Sequence, residues 1–439
     1  MTFTNLGGNG DHRHKARDAS QNKADIPSFA DEQSLHNSPA LGPNHLNIPA
    51  PLSAQSATRL LSCCTLVLTR SSVFKPSVII CLSSWQTDLD HILSRRGFDP
   101  LTYKYQDQTP VPGEAFEVAT DVFWIRMPMS GKLNHINVWL LRDGDGWTVV
   151  DTGVHNDSVK GHWQSIFAKY LDSKPITRVI ATHLHTDHTG NAGWICSEWD
   201  CELWMSRADF YMCKVMGADK RSDVPEDAIR FYRRAGFDDA RLDRYRQRFG
   251  MFGANLAPLP AGYHRISEGQ YIDIGGREWR AVIGHGHAPE HVCLYCPELK
   301  LIIGGDQLLP KITPNVSVQP SEPLANPLRD WLSSCARFRE LLPPNLLVLP
   351  AHESLYEGVH ERLTALIDWH EVALEKLYEM CDTPKRAVDV FPALFKSKVT
   401  DTSFFPATGE SIAHLHCALE RRMLSVEEDA NGVAWWRQA

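Results

Sequence analysis

Long hydrophobic runs, an excess of basic residues and regularly spaced cysteines are all missing from this 439-residue sequence. No run of about 18 apolar residues occurs, so we expect no membrane-spanning helix. The 45 basic residues are outnumbered by 53 acidic ones, and the net charge of −8 disfavours a globally basic nucleic-acid-binding protein. The 11 cysteines are odd in number and irregularly spaced, unlike a secreted disulfide framework. We therefore expect a cytoplasmic protein.

Apolar residues are also scarce in residues 1–57, which are rich in Asn, Ser, Asp, His, Pro and Gly. Such a segment cannot bury enough surface to offset its chain entropy. Residues 60–84 are more apolar, but charged residues and a proline interrupt them. We predict that residues 1–100 form a disordered extension, followed by a catalytic domain over residues 101–356 and a C-terminal unit over residues 357–439.

From residue 114 onward, short β-rich segments alternate with helical ones. Strands are predicted at residues 115–118, 122–127, 136–141, 147–150, 177–182, 202–205, 264–274, 277–283, 292–296, 301–303 and 346–349. Helices are predicted at residues 159–171 and 191–198, within an insert over residues 207–250, and after residue 358. This alternation predicts an α/β sandwich with helices outside the sheets.

A histidine-rich run directly follows the predicted strand at residues 177–182. His183 and His185 are two residues apart, so in extended backbone both side chains point to one side and can reach one metal ion. Asp187 and His188 follow where the chain turns towards a helix, and they can reach a second ion. Imidazole and carboxylate groups are ligands that Zn²⁺ and similar divalent ions prefer.

Further metal-binding candidates occur at the ends of later predicted strands. The segment Gly-His-Gly-His-Ala-Pro-Glu-His at residues 284–291 precedes an apolar strand. Asp306 and His352 each follow a predicted strand of their own. One edge of the sheets could gather all these groups into a rigid site.

Taken in order, these motifs resemble the metallo-β-lactamase-fold hydrolase superfamily, including its glyoxalase II-like members. The resemblance rests on Val-Asp-Thr-Gly at residues 150–153, the His-x-His-x-Asp-His run, a Gly-His turn, Gly-Asp and Pro-x-His. It implies an αββα sandwich with a helical lid insert and a small, winged-helix-like C-terminal unit. It also implies two metal ions. The first would be bound by His183, His185 and His287, the second by Asp187, His188 and His352, and Asp306 would bridge both.

Two assignments in this set depend on the alignment of single residues. His287 is preferred over His285 because residues 286–291 align with the Gly-His-x-Pro-Gly-His pattern of the family, although Glu290 replaces its usual glycine. By the same alignment His291 is a loop residue and does not bind metal. Asp151 resembles the carboxylate that orients a metal ligand from outside the coordination sphere.

The resemblance implies a hydrolase with two Zn²⁺ ions, with Fe²⁺ or Mn²⁺ as alternatives. Two such ions would share a water molecule and lower its pKa towards about 7, and the resulting hydroxide would attack an electrophilic centre. Asp187 is the predicted catalytic residue, because it could orient this nucleophile and carry a proton to the leaving group. We expect a small-molecule substrate with an ester-like acyl bond, foremost a thioester of the hydroxyacylglutathione or acyl-CoA type.

Three other reactions stay open at this point. A ribonuclease or phosphodiesterase could use the same metals, although the acidic net charge disfavours it. A lactone or β-lactam hydrolase would use the same attack. An iron-dependent persulfide dioxygenase shares the histidine motif. The oligomeric state is not predicted.

The insert and the C-terminal unit have less specific patterns. Residues 207–250 hold more basic than acidic side chains, interleaved with aromatic ones. This pattern suits either a lid that binds an anionic substrate or an amphipathic cover with a solvated basic face. In the C-terminal unit, helices precede a hairpin signal at Asn431 and Gly432. Because this tail is not basic, we expect it to support packing or the substrate pocket rather than bind nucleic acid.

Overall fold

The structure is a computed structural model that describes residues 100–131, 133–219 and 223–439. The predicted N-terminal extension, apart from residue 100, lies outside the described residues. Within the described ranges, no helix combines the length and the apolar composition needed to cross a membrane.

Seven strands form one mixed sheet, named here the N-terminal sheet, in which spatial order follows chain order. These strands are β1 (Ala115–Ala119), β2 (Val122–Pro128), β3 (His135–Asp143), β4 (Gly146–Val150), β5 (Ile176–Ile180), β6 (Glu202–Ser206) and β7 (His264–Ile266). The pairs from β1 to β4 are antiparallel, and those from β4 to β7 are parallel. Every residue of β4 is buried, as expected where both faces of a sheet are covered.

Six strands form the second sheet, named here the C-terminal sheet, in the order β13-β12-β11-β10-β9-β8. They are β8 (Tyr271–Ile274), β9 (Arg277–Gly284), β10 (His291–Cys296), β11 (Leu301–Gly305), β12 (Leu347–Pro350) and β13 (Tyr356–Glu357). Only the β11–β12 pair is parallel among these neighbours.

The prediction of a single strand over residues 264–274 was wrong. The chain forms β7 in the N-terminal sheet and β8 in the C-terminal sheet, with a turn between them. Ser267 and Gln270 close this turn, because the Gln270 amide donates to the Ser267 carbonyl and the Ser267 amide to the Gln270 side chain. Only Ile266 of the three residues of β7 is buried, so this short strand has no pattern of its own that would reveal the crossing between sheets.

The two sheets pack face to face, and helices cover their outer faces. The helices of this domain are α1 (Asp157–Tyr170), α2 (Thr186–Thr189), α3 (Ala192–Trp199), α4 (Arg207–Ala218), α5 (Glu226–Arg234), α6 (Asp239–Arg248) and α7 (Pro327–Leu341). The core between the sheets includes Val150 and Ile180 from one sheet and Val292 and Leu349 from the other. This architecture confirms the predicted αββα sandwich.

The insert divides between two hydrophobic cores. Helix α4 packs Phe210 and Cys213 into the core beneath the N-terminal sheet, together with α1 and α3. Helices α5 and α6 place Phe231 and Leu242 in a different core, which they share with α7 and the C-terminal unit. The aromatic residues of α5 and α6 are therefore largely packing residues.

The C-terminal unit consists of helices and one small hairpin. Its elements are α8 (Val359–Met380), α9 (Phe391–Leu394), α10 (Phe404–Glu420), β14 (Leu424–Glu428) and β15 (Ala434–Gln438). The two strands pair antiparallel, and the predicted turn residues Asn431 and Gly432 lie between them. Helix α10 is buried along most of its length, so it forms the centre of this unit.

Candidate metal centre

The histidine-rich run leaves the N-terminal sheet just after β5. Thr182 and His183 are fully buried, and His185 stands immediately before the short helix α2. The extended backbone at His185 brings its Nδ1 atom within 2.8 Å of Nε2 of His183. The predicted pairing of these two imidazoles therefore occurs in the structure.

Four donors form the first group, contributed by His183, His185, His287 and Asp306, with one ligand atom of each within 4.8 Å of the others. Nε2 of His287 lies 3.2 Å from Nε2 of His183 and 3.2 Å from Oδ2 of Asp306. Residues from both sheets meet here, since His183 follows β5 and Asp306 follows β11.

Asp187, His188 and His352 form the second group. Nε2 of His352 lies 3.4 Å from Oδ2 of Asp187, and Nε2 of His188 lies 3.7 Å from the same oxygen. Oδ1 of Asp306 lies 3.5 Å from His188 and 3.4 Å from His352. The two oxygens of Asp306 thus face different groups, which is the arrangement a bridging carboxylate needs.

The donors fit divalent metal ions. Nε2 of His188 and Oδ1 of Asp306 are buried, and neither has a hydrogen-bond partner within the described part of the chain. Buried polar atoms without partners are rare, because leaving them unpaired is unfavourable. Imidazole nitrogens and carboxylate oxygens converging on the same space are the ligand set of Zn²⁺, Fe²⁺ and Mn²⁺.

Burial and neighbouring charges shift the pKa values of these histidines in different directions. Burial, reinforced by His188, holds the pKa of His183 well below its usual range, and burial with His287 lowers the pKa of His185 to about 4. These two imidazoles are therefore neutral at pH 7, as metal binding requires. Burial alone would also lower the pKa of His188, but the surrounding carboxylates, with Asp151 foremost, raise it well above its usual value.

Asp151 and Thr182 stabilise this centre from outside the two groups of donors. Oδ2 of Asp151 lies 2.8 Å from Nδ1 of His188. The backbone amide and the hydroxyl of Thr182 both donate to Asp151. These hydrogen bonds fix the carboxylate in a position that orients His188, so that Nε2 of His188 points towards the other donors.

Backbone carbonyls orient the other two distant histidines. Nδ1 of His287 donates to the carbonyl of Asn315 at 2.8 Å, and Nδ1 of His352 donates to the carbonyl of His135 at 2.9 Å. Each bond leaves Nε2 free to face the centre. Neither Asn315 nor His135 was identified from the sequence, because a carbonyl acceptor has no residue-type signal.

The three histidines near residue 287 have distinct positions. His285 is exposed, and its Nδ1 donates to the carbonyl of Pro289. The prediction that His291 is a loop residue was wrong: it begins β10 and is fully buried. Its Nε2 accepts a hydrogen bond from the backbone amide of Asp306, so it holds the backbone of that residue. The glycine between the two loop histidines, Gly286, has φ +110°, a conformation that an L side chain rarely adopts.

Asp209, in the first turn of α4, is a buried residue that the sequence analysis missed. Its carboxylate accepts hydrogen bonds from the backbone amides of Leu184 and Glu290 at 2.9 and 2.7 Å. It therefore ties the loop that carries His183 to the loop that carries His287. Ser206 and Asp209 have the spacing of a helix-capping pair, but that pattern indicates a helix start and not a contact with two distant loops.

Glu290 also has a defined role in this turn. Its side chain accepts a hydrogen bond from the backbone amide of Ala208 at 2.9 Å, within the first turn of α4. A carboxylate near the start of a helix satisfies an unpaired amide and interacts favourably with the helix dipole. The residue that departs from the family pattern therefore fastens the histidine loop to the insert.

Comparisons with known proteins agree with this architecture. Residues 131–352 match the family described as "Metallo-beta-lactamase superfamily", and residues 374–439 match "Metallo-beta-lactamase-like, C-terminal domain". A solved Beta-lactamase domain protein from Burkholderia ambifaria is 36% identical, with a TM-score of 0.71, covering 77% of this chain and 98% of that one.

Two curated proteins are more distant relatives. "Probable metallo-hydrolase YqjP" of Bacillus subtilis is 24% identical over 306 residues, covering 67% of this chain and 91% of that protein. "Acyl-coenzyme A thioesterase MBLAC2" of Gallus gallus is 24% identical over 258 residues, covering 57% of this chain and 83% of that protein.

Proposed function

The chain belongs to the metallo-beta-lactamase superfamily, and from this premise we propose that it hydrolyses a thioester, with an acyl-CoA-like compound as the preferred class of substrate. The coarser statement, that the chain is a metallo-hydrolase by family, does not depend on the choice of substrate.

The observation that carries the proposal is the convergence of seven imidazole and carboxylate side chains into two adjoining groups. His183, His185 and His287 would bind one divalent ion, and Asp187, His188 and His352 the other, with Asp306 between them. Two divalent ions in these positions would supply a nucleophile from water at neutral pH and polarise the acyl carbonyl.

Asp187 is the proposed catalytic residue. Its side chain is 18% exposed, whereas the side chain of Asp306 is 10% exposed and that of His188 is fully buried. A substrate can therefore approach Asp187 more readily than Asp306 or His188. Burial alone would raise the pKa of Asp187, but His188 and His352 lower it to about 2, so the group is an ionised carboxylate at neutral pH.

The proposed reaction adds the oxygen of water to the acyl carbon and breaks the carbon–sulfur bond. The sulfur departs with the electron pair of that bond and takes up the proton that Asp187 received from water. The products are a carboxylic acid and a free thiol. Nucleophilic serine or cysteine is not needed for any of these steps.

The choice of a thioester is supported by relatives rather than by the geometry of the centre. The thioesterases named MBLAC2 from chicken and human each match this chain at 24% identity over 258 residues. Lactones, β-lactams and phosphodiesters are chemically accessible to the same donors, so they are the natural comparison substrates.

The test is a substrate panel on the full chain, with the metal content measured in the same preparation. Acyl-CoA and acylglutathione thioesters are followed with a thiol-detecting reagent, beside lactones, a β-lactam and labelled single-stranded RNA. We expect thiol release from one thioester class, and we expect loss of at least about 10²-fold in Asp187→Ala. Cleavage of RNA with every acyl substrate intact would contradict the proposal, and iron with persulfide oxidation would replace it.

A further inference from the structure

We propose that Glu410, a residue of the C-terminal unit, is a positioning residue for the metal centre and acts on His287 through Asn315. The inference rests on the metal centre proposed above. It gives the C-terminal unit a role in metal binding that goes beyond covering the domain.

Two consecutive hydrogen bonds connect Glu410 to His287, and a third attaches the residue between them to the same helix. Nδ1 of His287 donates to the backbone carbonyl of Asn315 at 2.8 Å. The side-chain amide of Asn315 donates to Oε2 of Glu410 at 2.9 Å and to the carbonyl of Pro406 at 3.2 Å. Both acceptors belong to α10, so the position of this helix determines where the carbonyl that orients His287 lies.

Asn315 is held from its other side as well. The hydroxyl of Ser317 donates to Oδ1 of Asn315 and, at 3.2 Å, to the carbonyl of Pro406. The amide of Val318 donates to the carbonyl of Gly409 at 3.1 Å. Residues 315–318 are thus attached to α10 at several points, and their position depends on that helix.

The close approach of α10 to this segment requires Gly409. A Cβ atom at this position would lie 2.7 Å from the side chain of Ser317 and 3.0 Å from the carbonyl of Val318. Contacts of that length force atoms apart, so even an alanine would push the segment away from the helix. Gly409 therefore offers a second way to disturb the same connection.

Packing alone does not explain a glutamate at this position. Glu410 is 7% exposed and stands in a helix that is buried along most of its length. Burial of a carboxyl group in such surroundings is unfavourable unless a specific partner compensates. The partner here is the amide of Asn315, and the acceptor oxygen of residue 410 that holds this amide acts through it on the metal centre.

The test measures metal binding by the full chain without any substrate. Metal-depleted wild type, Glu410→Ala, Glu410→Gln and Gly409→Ala are titrated with Co²⁺, and the affinity and visible absorption spectrum of each ion are recorded. Leu415→Ala is the matched control, because Leu415 is fully buried in the same helix and its loss destabilises the core.

We expect two Co²⁺ sites in the wild type. In Glu410→Ala and Gly409→Ala one site should weaken by about 10-fold or more and change its spectrum, as found when an outer partner of a metal ligand is lost. Glu410→Gln keeps an acceptor oxygen and should stay near wild type, and so should Leu415→Ala. Gly409→Ala keeps the test decisive if Glu410→Ala does not fold.

Equal Co²⁺ binding by Glu410→Ala, Gly409→Ala and Leu415→Ala would overturn the inference. Absence of Co²⁺ binding by the wild type would instead refute the metal centre itself. Failure of the thioester proposal is seen only in the substrate panel, so the two results are distinguishable.

Discussion

The carboxylate of Asp151 lies 2.8 Å from Nδ1 of His188, and both side chains are buried. The backbone of Asp151 has φ +59°, in the left-handed region that Asp and Asn enter more readily than most residues. The strand-to-loop turn after β4 thus aims this carboxylate at a histidine on the neighbouring loop, and His188 in turn faces the other donors.

Asp151→Asn should weaken binding of one metal ion by about 10- to 100-fold, because a neutral amide makes His188 less basic and orients it less firmly. Competition with a chelator measures this loss. Asp143→Asn is the control. Asp143 pairs with Arg178 and lies beside the first residue of β4, at the opposite end of that strand from Asp151. An equal loss in both variants would mean that Asp151 acts only through stability.

The choice between His287 and His285 can be decided by a matched pair of alanine variants. His287→Ala removes a donor that lies 3.2 Å from both His183 and Asp306, so it should lose one equivalent of bound metal and most activity. His285→Ala removes an exposed ring and should keep both ions. Metal content measured on both purified variants checks this, and the reverse result would show that the ligand register is wrong.

Asp209→Ala should destabilise the protein, because it leaves the buried amide of Leu184 and the partly buried amide of Glu290 unpaired. Each unpaired donor costs about 1–3 kcal/mol. Urea unfolding of the full chain measures the change. Ser206→Ala is the control, because it removes one donor to Asp209 and leaves both loop amides paired, so its effect should be smaller. Similar losses in both variants would argue against the connection between the two histidine loops.

The residues that the structure gathers at the candidate metal centre were predictable because each occurs in a short motif at a strand end. His183 and His185 lie two residues apart, and Asp306 and His352 directly follow apolar strands. Spacing along the chain and the general behaviour of strands were enough to expect these groups at one edge. The alternation of strands and helices gave an α/β sandwich with helices outside the sheets, whereas the αββα arrangement and the division of the ligands between two ions came from the resemblance to the superfamily.

The residues that hold the ligands were not predictable in the same way. Asp209 and Glu290 are 81 residues apart, and Asn315 and Glu410 are 95 apart. A contact between such distant segments leaves no local spacing in the sequence. The crossing between β7 and β8 was missed for a related reason, since a strand pattern gives the buried face but not the sheet to which the strand belongs.

Removal of the metal ions should lower thermal stability markedly. Without ions, His188 and Asp306 keep buried atoms that have no partner among the described residues. An ion present at about 1,000 times its dissociation constant stabilises the native state by about 4 kcal/mol. We expect a chelator to lower the melting temperature and added Zn²⁺ to restore it. Complete loss of metal, verified by elemental analysis, with an unchanged melting temperature would contradict the proposed ligand set.

Glu410 should make the stability of the protein depend on pH near neutrality. Burial raises the pKa of Glu410 to about 7, although the Asn315 amide opposes the shift, and the ordinary value is 4.5. Between these two values the native state holds a proton that the unfolded state has released, so stability falls as pH rises. Above pH 7 the full effect is about 3 kcal/mol, from about 1.4 kcal/mol for each pKa unit.

Glu410→Gln removes this titration while keeping an acceptor for Asn315, and the metal ligands titrate equally in both proteins. Urea unfolding of wild type and Glu410→Gln is measured at pH 5, 6, 7 and 8, about one unit apart and spanning the shifted pKa. The difference in unfolding free energy between the two proteins isolates the contribution of this carboxyl group. We expect the variant to gain stability relative to wild type as pH rises through this range and then to level off. A constant difference at all four values would show that Glu410 has the same pKa in the folded and unfolded states. Burial of its carboxyl group within α10 would then not shift its pKa.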